Sequence, residues 1–473
     1  MITFACRWIA LAAISLLFVA NLNAKQRVIL IVQEGLGHEL IAAGQLYSDD
    51  ASLWDWRLDH QWHYQSMATH PLTTQAHPDG TDPALLSSYN PHSAWDGTVV
   101  QIGASSGAPT SSFRGYRWLI EQATDPLQAA TALGSGIPSY NTAVNWMNYP
   151  SRSGSPLAPT QQLLEWADHH ELQTALISDM PIGHDVASIL AGFRSESRDT
   201  GSNRFNYLVR SSQLDLYVGA GHPRYNELGQ AHSDPRYVVA SQSDWQDLRN
   251  RARASGWNVI FGDENLLGVS SQPQQAAERR LVVLQFGDTT STQAIAADAS
   301  GLSGNLANSM RFQIRMGLNF LNQSPKGFIA VIHLGRLPYL LGAELQREAI
   351  EEVVNGFRAL TLCEDWIEDN GGWQDTSLLL VSPYEYGLVW GAGSTSFPFA
   401  QITNRGKGRI PGFRLNHQGP SAALAPVLVR GAFAEQLQQM EQAEDPIYGS
   451  FLNASELGAS LKRFVTPVDS MVE

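Results

Sequence analysis

Cysteine is nearly missing: 473 residues hold two, Cys6 and Cys363. A single cysteine beyond the N-terminal segment cannot close an internal disulfide, so a core has to hold the chain together. Charge is sparse as well, at 16 % of residues. It leans acidic, with 31 Lys and Arg against 45 Asp and Glu and a formal net charge of -14. That imbalance argues against nucleic acid or an anionic membrane surface as partner, although a local field can still favour an anionic ligand. Two reaction motifs are lacking: the phosphate-binding G-x-x-x-x-G-K-[ST] loop and the H-E-x-x-H pair. P-loop and zincin chemistry are therefore without support. No low-complexity linker or internal repeat divides the chain, so residues 25–473 are expected to form one large domain.

Hydrophobic residues are plentiful, at 43 %. The first of them belong to targeting. Arg7, an apolar run over 8–20 and Leu22-Asn23-Ala24 read as a secretory signal peptide over residues 1–24. The run is short for a membrane span, and an uncleaved anchor is the alternative. The expected product is periplasmic or secreted, with no stable membrane span after cleavage. Residues 27–32, RVILIV, then form a continuous apolar run, as expected of a strand buried on both faces. Further short runs lie at 174–178, 214–219, 257–261, 281–286, 328–333, 377–382 and 426–430. Helical patterns lie between several of them, at 161–169, 306–321 and 344–367. This alternation predicts an α/β fold, a large and mainly parallel sheet sandwiched between helices. Its ligands would bind beyond the carboxyl ends of the strands. Residues 54–113, rich in Trp, His, Ser, Gly and Pro, break the alternation and read as a long surface insertion. His60, His63, His70, His77 and His92 fall there at spacings that match no standard metal motif.

The stretch 123–146, ATDPLQAATALGSGIPSYNTAVNW, carries the most specific signal. Asp125 can cap a helix with its carboxylate, and Pro126 suits the first helical position, where no N–H is needed. The small residues that follow suit a helix packed close to a neighbour. Gly134 and Gly136 should end it ahead of Pro138.

This stretch resembles the nucleophile segment of the alkaline phosphatase family, T-D-S-A-x-x-A-T-A-x-x-x-G-x-x-x-Y-N. Thr124, Asp125, Ala129, Ala130, Thr131, Ala132, Gly136, Tyr140 and Asn141 follow it. Four more segments resemble the family in the same order: 28–37 (VILIVQEGLG), 174–188 (TALISDMPIGHDVAS), 214–229 (LDLYVGAGHPRYNELG) and 326–338 (KGFIAVIHLGRLP). The wording YNTAVNW is similar to the bacterial branch. The resemblance implies an alkaline-phosphatase-like fold and a site that holds two zinc ions, usually with magnesium, around a serine.

Residue by residue, that site is largely rewritten. Pro126 stands at the nucleophile position and has neither hydroxyl nor N–H. Glu34 takes the place of a metal-binding aspartate, and His333 that of a magnesium-binding glutamate. Pro338 and Tyr384 replace zinc-binding aspartates, Glu385 replaces a zinc-binding histidine, and Val186 replaces a magnesium-binding threonine. His417 in HQG answers the late H-T-G, His184 matches the family histidine, and Arg198 falls near the phosphate-binding arginine. The resemblance leaves Glu34, His333, Glu385 and His417 as remnant metal ligands, and Asp125, His184, Arg198 and Arg336 as ligand-binding residues. No cofactor is favoured; zinc and magnesium are implied if the remnant site works. The reading is a catalytically impaired pseudophosphatase, an exported binding or scaffold protein for which a small phosphorylated ligand is possible. The alternative is a metal-dependent phosphate or sulfate ester hydrolase with a remodelled site. Without the family's cations, an arginine, Arg336 or Arg198, is expected to pair with Glu34, Asp125 and Glu385.

Overall fold

Alternate residues of the first apolar run face opposite sides. Val28, Leu30 and Val32 belong to one hydrophobic core, while Ile29 and Ile31 belong to another. A sheet between two cores accounts for a strand that is apolar on both faces from Val28 to Val32. The computed structural model describes residues 25–57, 59–71, 88–102, 110–142, 144–147, 158–195, 201–226, 229–262, 279–285, 287, 310–440 and 443–466. The expected signal peptide lies outside them. Among the described residues no helix is long and apolar enough to cross a membrane.

Eleven strands form the sheet: β1 (Gln26–Gln33), β2 (His63–Ala68), β3 (Gln173–Pro181), β4 (Leu216–Ala220), β5 (Trp257–Phe261), β6 (Arg279–Val283), β7 (Gly327–Leu334), β8 (Thr376–Val381), β9 (Ala425–Gly431), β10 (Ala443–Asp445) and β11 (Gly449–Asn453). Their order is β10-β11-β2-β9-β8-β1-β7-β3-β4-β6-β5. Pairing is parallel except where β9 meets β8 and β2, and where β10 meets β11. The ends of β1, β2, β3, β7 and β8 therefore lie along one edge of the sheet. The helices that matter for this edge are α1 (His38–Tyr47), α2 (Pro126–Ser135), α3 (Asp185–Leu190), α4 (Met310–Leu321), α5 (Leu337–Gly342), α6 (Gln346–Asp369) and α7 (Ala454–Val465). Helices α2, α3 and α7 cover one face, and α1, α4 and α6 the other.

Helix α2 starts as its sequence demands. Pro126 is its first residue, and Asp125 Oδ1 accepts the N–H groups of Leu127 and Gln128 at 2.8 Å each. Its end is a correction: Gly134 lies inside the helix, and only Gly136, at φ 73°, stops it. Gly134 serves close packing instead, because a Cβ there would sit 1.7 Å from Gln162 Oε1.

The stretch 54–113 also departs from expectation. Its residues 63–68 are β2, a strand inside the main sheet between β9 and β11. Trp54, Trp56 and Trp62 are buried in the core that α6 shares. Further along, Tyr89, Ala94 and Phe113 join a smaller core with Tyr116, Trp390 and Phe451. The segment is thus partly structural framework, because its tryptophans bury area that a polar insertion would leave in water.

Candidate functional site

The sheet register builds the site. Val32 of β1, His333 of β7 and Ser178 of β3 are consecutive neighbours across three strands. Side chains alternate along a strand, so His333 shares a face with Ile329 and Val331, the face that α2 covers. Glu34 follows β1 directly and His184 precedes α3. Gly335 leaves room for their approach: a Cβ there would lie 2.8 Å from His333 Cε1 and 3.0 Å from Glu34 Oε1.

Glu34 is 2 % exposed and His333 is fully buried. His333 Nε2 lies 2.6 Å from Glu34 Oε1, and the Tyr384 hydroxyl donates to Glu34 Oε2 at 2.7 Å. His184 Nδ1 stands 3.7 Å from Glu34 Oε1; it is buried and has no hydrogen-bond partner. The outer nitrogens are held by hydroxyls. His333 Nδ1 lies 2.9 Å from Ser178 Oγ, and His184 Nε2 lies 3.0 Å from the Tyr339 hydroxyl.

Burial raises the Glu34 carboxyl, but the hydrogen bond from His333, the two imidazoles and the Tyr384 hydroxyl outweigh it. The net shift is downward. Burial pushes His184 down against the pull of Glu34. Burial and the Glu34 charge push Tyr384 far up, so it remains a phenol. The cluster thus presents a carboxylate, two imidazoles and a neutral hydroxyl.

Glu34 and His333, both expected as metal ligands, come together. His184, expected as a ligand-binding residue, joins them. Glu385 does not. It accepts the N–H groups of Leu388 at 3.1 Å and Val389 at 3.2 Å and the Ser421 hydroxyl, so its carboxylate holds a turn. His417 lies outside the cluster, beside Gly419, with its N–H on the Gly387 carbonyl at 3.1 Å. Asp125 caps α2, and its Oδ2 accepts the Thr142 N–H. Arg198 lies outside the described residues. The expected arginine partner of Glu34 and Glu385 is corrected: the His333 imidazole and a phenol hold the first, backbone amides and a serine the second. Each strand end already carries its own donors. Arg336 acts on Asp179, whose carboxyl burial and Glu352 push up to about 7 against His333 and Arg336. Sequence reasoning missed Ser178 and Tyr339, because nothing in their segments fixes the register that brings them to the histidines.

A second acid shares the Glu385 corner. Burial pushes the Glu39 carboxyl up to about 7; the Tyr448 hydroxyl, 3.3 Å from Oε1, opposes this and the Glu385 charge adds to it. A carboxyl raised in the folded state takes up a proton on folding between its ordinary 4.5 and about 7. Its stabilising contribution is complete below 4.5 and is lost as pH rises through about 7. Glu39→Gln keeps an acceptor for Tyr448 and removes the titration. Against wild type it should gain up to about 3 kcal/mol on going from about pH 5 to about pH 8 in urea unfolding. An equal difference at both pH values would show that Glu39 titrates normally.

Glu34 Oε1, His184 Nδ1 and His333 Nε2 lie within 4.8 Å of one another, the one such ligand cluster among the described residues. Their chemistry fits a single cation that accepts nitrogen and oxygen. It does not fit two. Pro338 in α5 has no ligand atom, and the Tyr384 hydroxyl is engaged with Glu34.

No protein-family description matches the chain, and no curated protein does. Solved structures do. The alkaline phosphatase of the Antarctic bacterium TAB5 superposes at a TM-score of 0.60 and 15 % identity, over 94 % of this chain and 98 % of that one. A variant of that enzyme with magnesium in its M3 site matches at 0.60 and 14 %, over 94 % and 99 %. The Thermus thermophilus alkaline phosphatase matches at 0.58 and 13 %, over 93 % and 91 %. The chain has the alkaline phosphatase fold along nearly its whole length. The five segments that resemble the family in sequence lie in a fold that the family shares.

Proposed function

We propose that this chain is an alkaline-phosphatase-fold protein without the family's two-zinc serine chemistry, acting outside the cytoplasm as a binding or scaffold protein. The observation that carries this reading is the start of α2. At the nucleophile position stands Pro126, and the carboxylate beside it is engaged with the Leu127, Gln128 and Thr142 amides. Pro338 and the engaged Tyr384 support it, since a serine hydroxyl needs a metal to lower its pKa and a second positive centre to offset the phosphoryl charge. The signal-like residues 1–24 support export. Any small phosphorylated ligand would meet Glu34 and Asp125 without the cations that balance them in the family, so its binding should be weak.

Replacing Pro126 with Ser tests the reading. In zinc and magnesium, phosphate release from a generic phosphomonoester should stay within roughly tenfold of a protein-free control, against the many orders that a working enzyme supplies. Zinc-dependent multiple turnover by Pro126→Ser would show that the metal centres survive and only the nucleophile was lost. A second reading, hydrolysis of a phosphate or sulfate ester at a rebuilt metal site, is favoured by one observation, the unpartnered Nδ1 of His184. It requires wild-type turnover that His184→Ala abolishes.

A further inference from the structure

Strand β5 ends the sheet. Its one strand neighbour among the described residues is β6, paired in parallel. Backbone groups alternate in direction along a strand, and the Gly262 N–H, just past β5, donates to the Val283 carbonyl of β6 at 2.8 Å. The N–H and C=O of Trp257 and Val259 therefore turn outward, away from β6. The strand, WNVIF, holds no proline and no charge, so it carries none of the usual blocks to a further strand. Arginines border this edge instead. The helix Leu248–Ala254 shares a core with Trp257 and Val259 and covers their face of β5. Its Arg249 and Arg253, one turn apart, line a groove of about 330 Å³ with Gly256, Trp257, Asn258 and Val259. The Arg249 guanidinium stands over the Phe261 ring at 4.6 Å, and Arg253 is exposed with no ion pair among the described residues. Arg251, between them, takes both Asp244 and Asp247. Arg279 of β6 lies over the Trp257 ring at 4.0 Å. The groove is thus locally positive in a chain of formal net charge -14.

We propose that the outer edge of β5 docks an extended acidic peptide segment of another protein, which adds as a further strand and sets carboxylates on Arg249 and Arg253. Side chains two apart on an extended chain stand about 6.6–6.8 Å apart. Residues four apart on a helix stand about 5–6 Å apart, so alternate acidic side chains meet successive arginines within the play of their stems. Backbone pairing supplies the affinity, and the guanidinium groups select the sign of the charge. A second copy of the chain is refused, because pairing two β5 edges would bring the arginines of both copies together. A nucleic acid would leave the outward carbonyls unpaired and would meet an acidic protein. The groove lies three strands beyond β3 and shares no residue with the Glu34 cluster, so the inference stands apart from the functional reading.

The test is fluorescence anisotropy of the full chain with a labelled peptide of alternating valine and glutamate, against a valine–lysine peptide. The glutamate peptide should bind at least about tenfold tighter. Arg253→Glu should weaken it about tenfold or more and strengthen the lysine peptide, an exchange that a damaged fold does not produce. Arg253 is exposed, so the variant keeps the fold. Backbone pairing is read with two glutamate peptides N-methylated at alternate residues, one in each phase. The phase whose amides face β5 should lose binding, and the other should keep it. No binding, equal affinity for both signs, unchanged binding by Arg253→Glu, or equal loss with the two methylated peptides would each overturn the proposal. Full competition by free glutarate at the peptide's own concentration would reduce the groove to a bare anion site and overturn it. Tighter binding of a single-stranded oligonucleotide than of the glutamate peptide would assign the arginines to nucleic acid, and a wild-type dimer dissolved by Val259→Pro would assign the edge to a second copy; either would overturn it too.

Discussion

Replacing Glu34 with alanine should destabilise the metal-free protein by about 3–5 kcal/mol, from two buried groups left without their acceptor and the cavity that opens. The side chain is 2 % exposed, and its two oxygens take His333 Nε2 at 2.6 Å and the Tyr384 hydroxyl at 2.7 Å. Alanine leaves both groups buried and without that acceptor, and each orphaned group costs about 1–3 kcal/mol. A cavity adds to the loss. Glu34→Gln keeps an acceptor oxygen and should lose less. Urea unfolding in chelator reads both variants. A loss below about 1 kcal/mol for Glu34→Ala would mean that water already reaches the cluster and satisfies its donors.

The second large effect lies behind α2. Helix α7 packs against it at Gly458, where an added Cβ would sit 2.1 Å from the Leu133 carbonyl oxygen and 3.0 Å from the Gly136 nitrogen. Both obstacles are backbone, so the two helices have to separate. Gly458→Ala should cost about 3 kcal/mol, the upper part of the usual range for overpacking, despite alanine's better helix propensity. Gly458→Val should cost more. Thermal unfolding reads the loss, and a neutral Gly458→Ala would show that α7 slides along α2 freely. The contact matters for function because α2 carries Pro126 and the Asp125 cap to the edge of the sheet.

Much of this was legible in the residues. The continuous apolar run of β1 announced a strand buried on both faces, and its alternate side chains do enter two separate cores. Asp125-Pro126 fixed a helix start that needs no tertiary partner. Strand β2 was hidden because HYQSMA has no clear alternation, being half exposed at one end and buried at the other. Its place comes from β9 and β11, distant in sequence. The site was legible in part for the same reason. Glu34 and His333 could be located from strand ends, but their partners are set by register and by loops. Glu385 looked like a ligand only by family position; locally it has two amide donors in its own turn and a third donor in the Ser421 hydroxyl, and these claim the carboxylate. The arginine expected beside Glu34 was unnecessary once the His333 imidazole and a phenol each reached one of its oxygens, a convergence that spacing along the chain does not reveal.

The most direct test is phosphomonoester hydrolysis by the wild-type protein after reconstitution with zinc and magnesium, with bound metal counted on the same sample. Turnover should be indistinguishable from the metal-only control, at no more than one zinc-class ion per chain. Zinc-dependent multiple turnover with two ions bound would contradict the account, because it would mean that a nucleophile and a second metal centre exist despite Pro126, Pro338 and Tyr384.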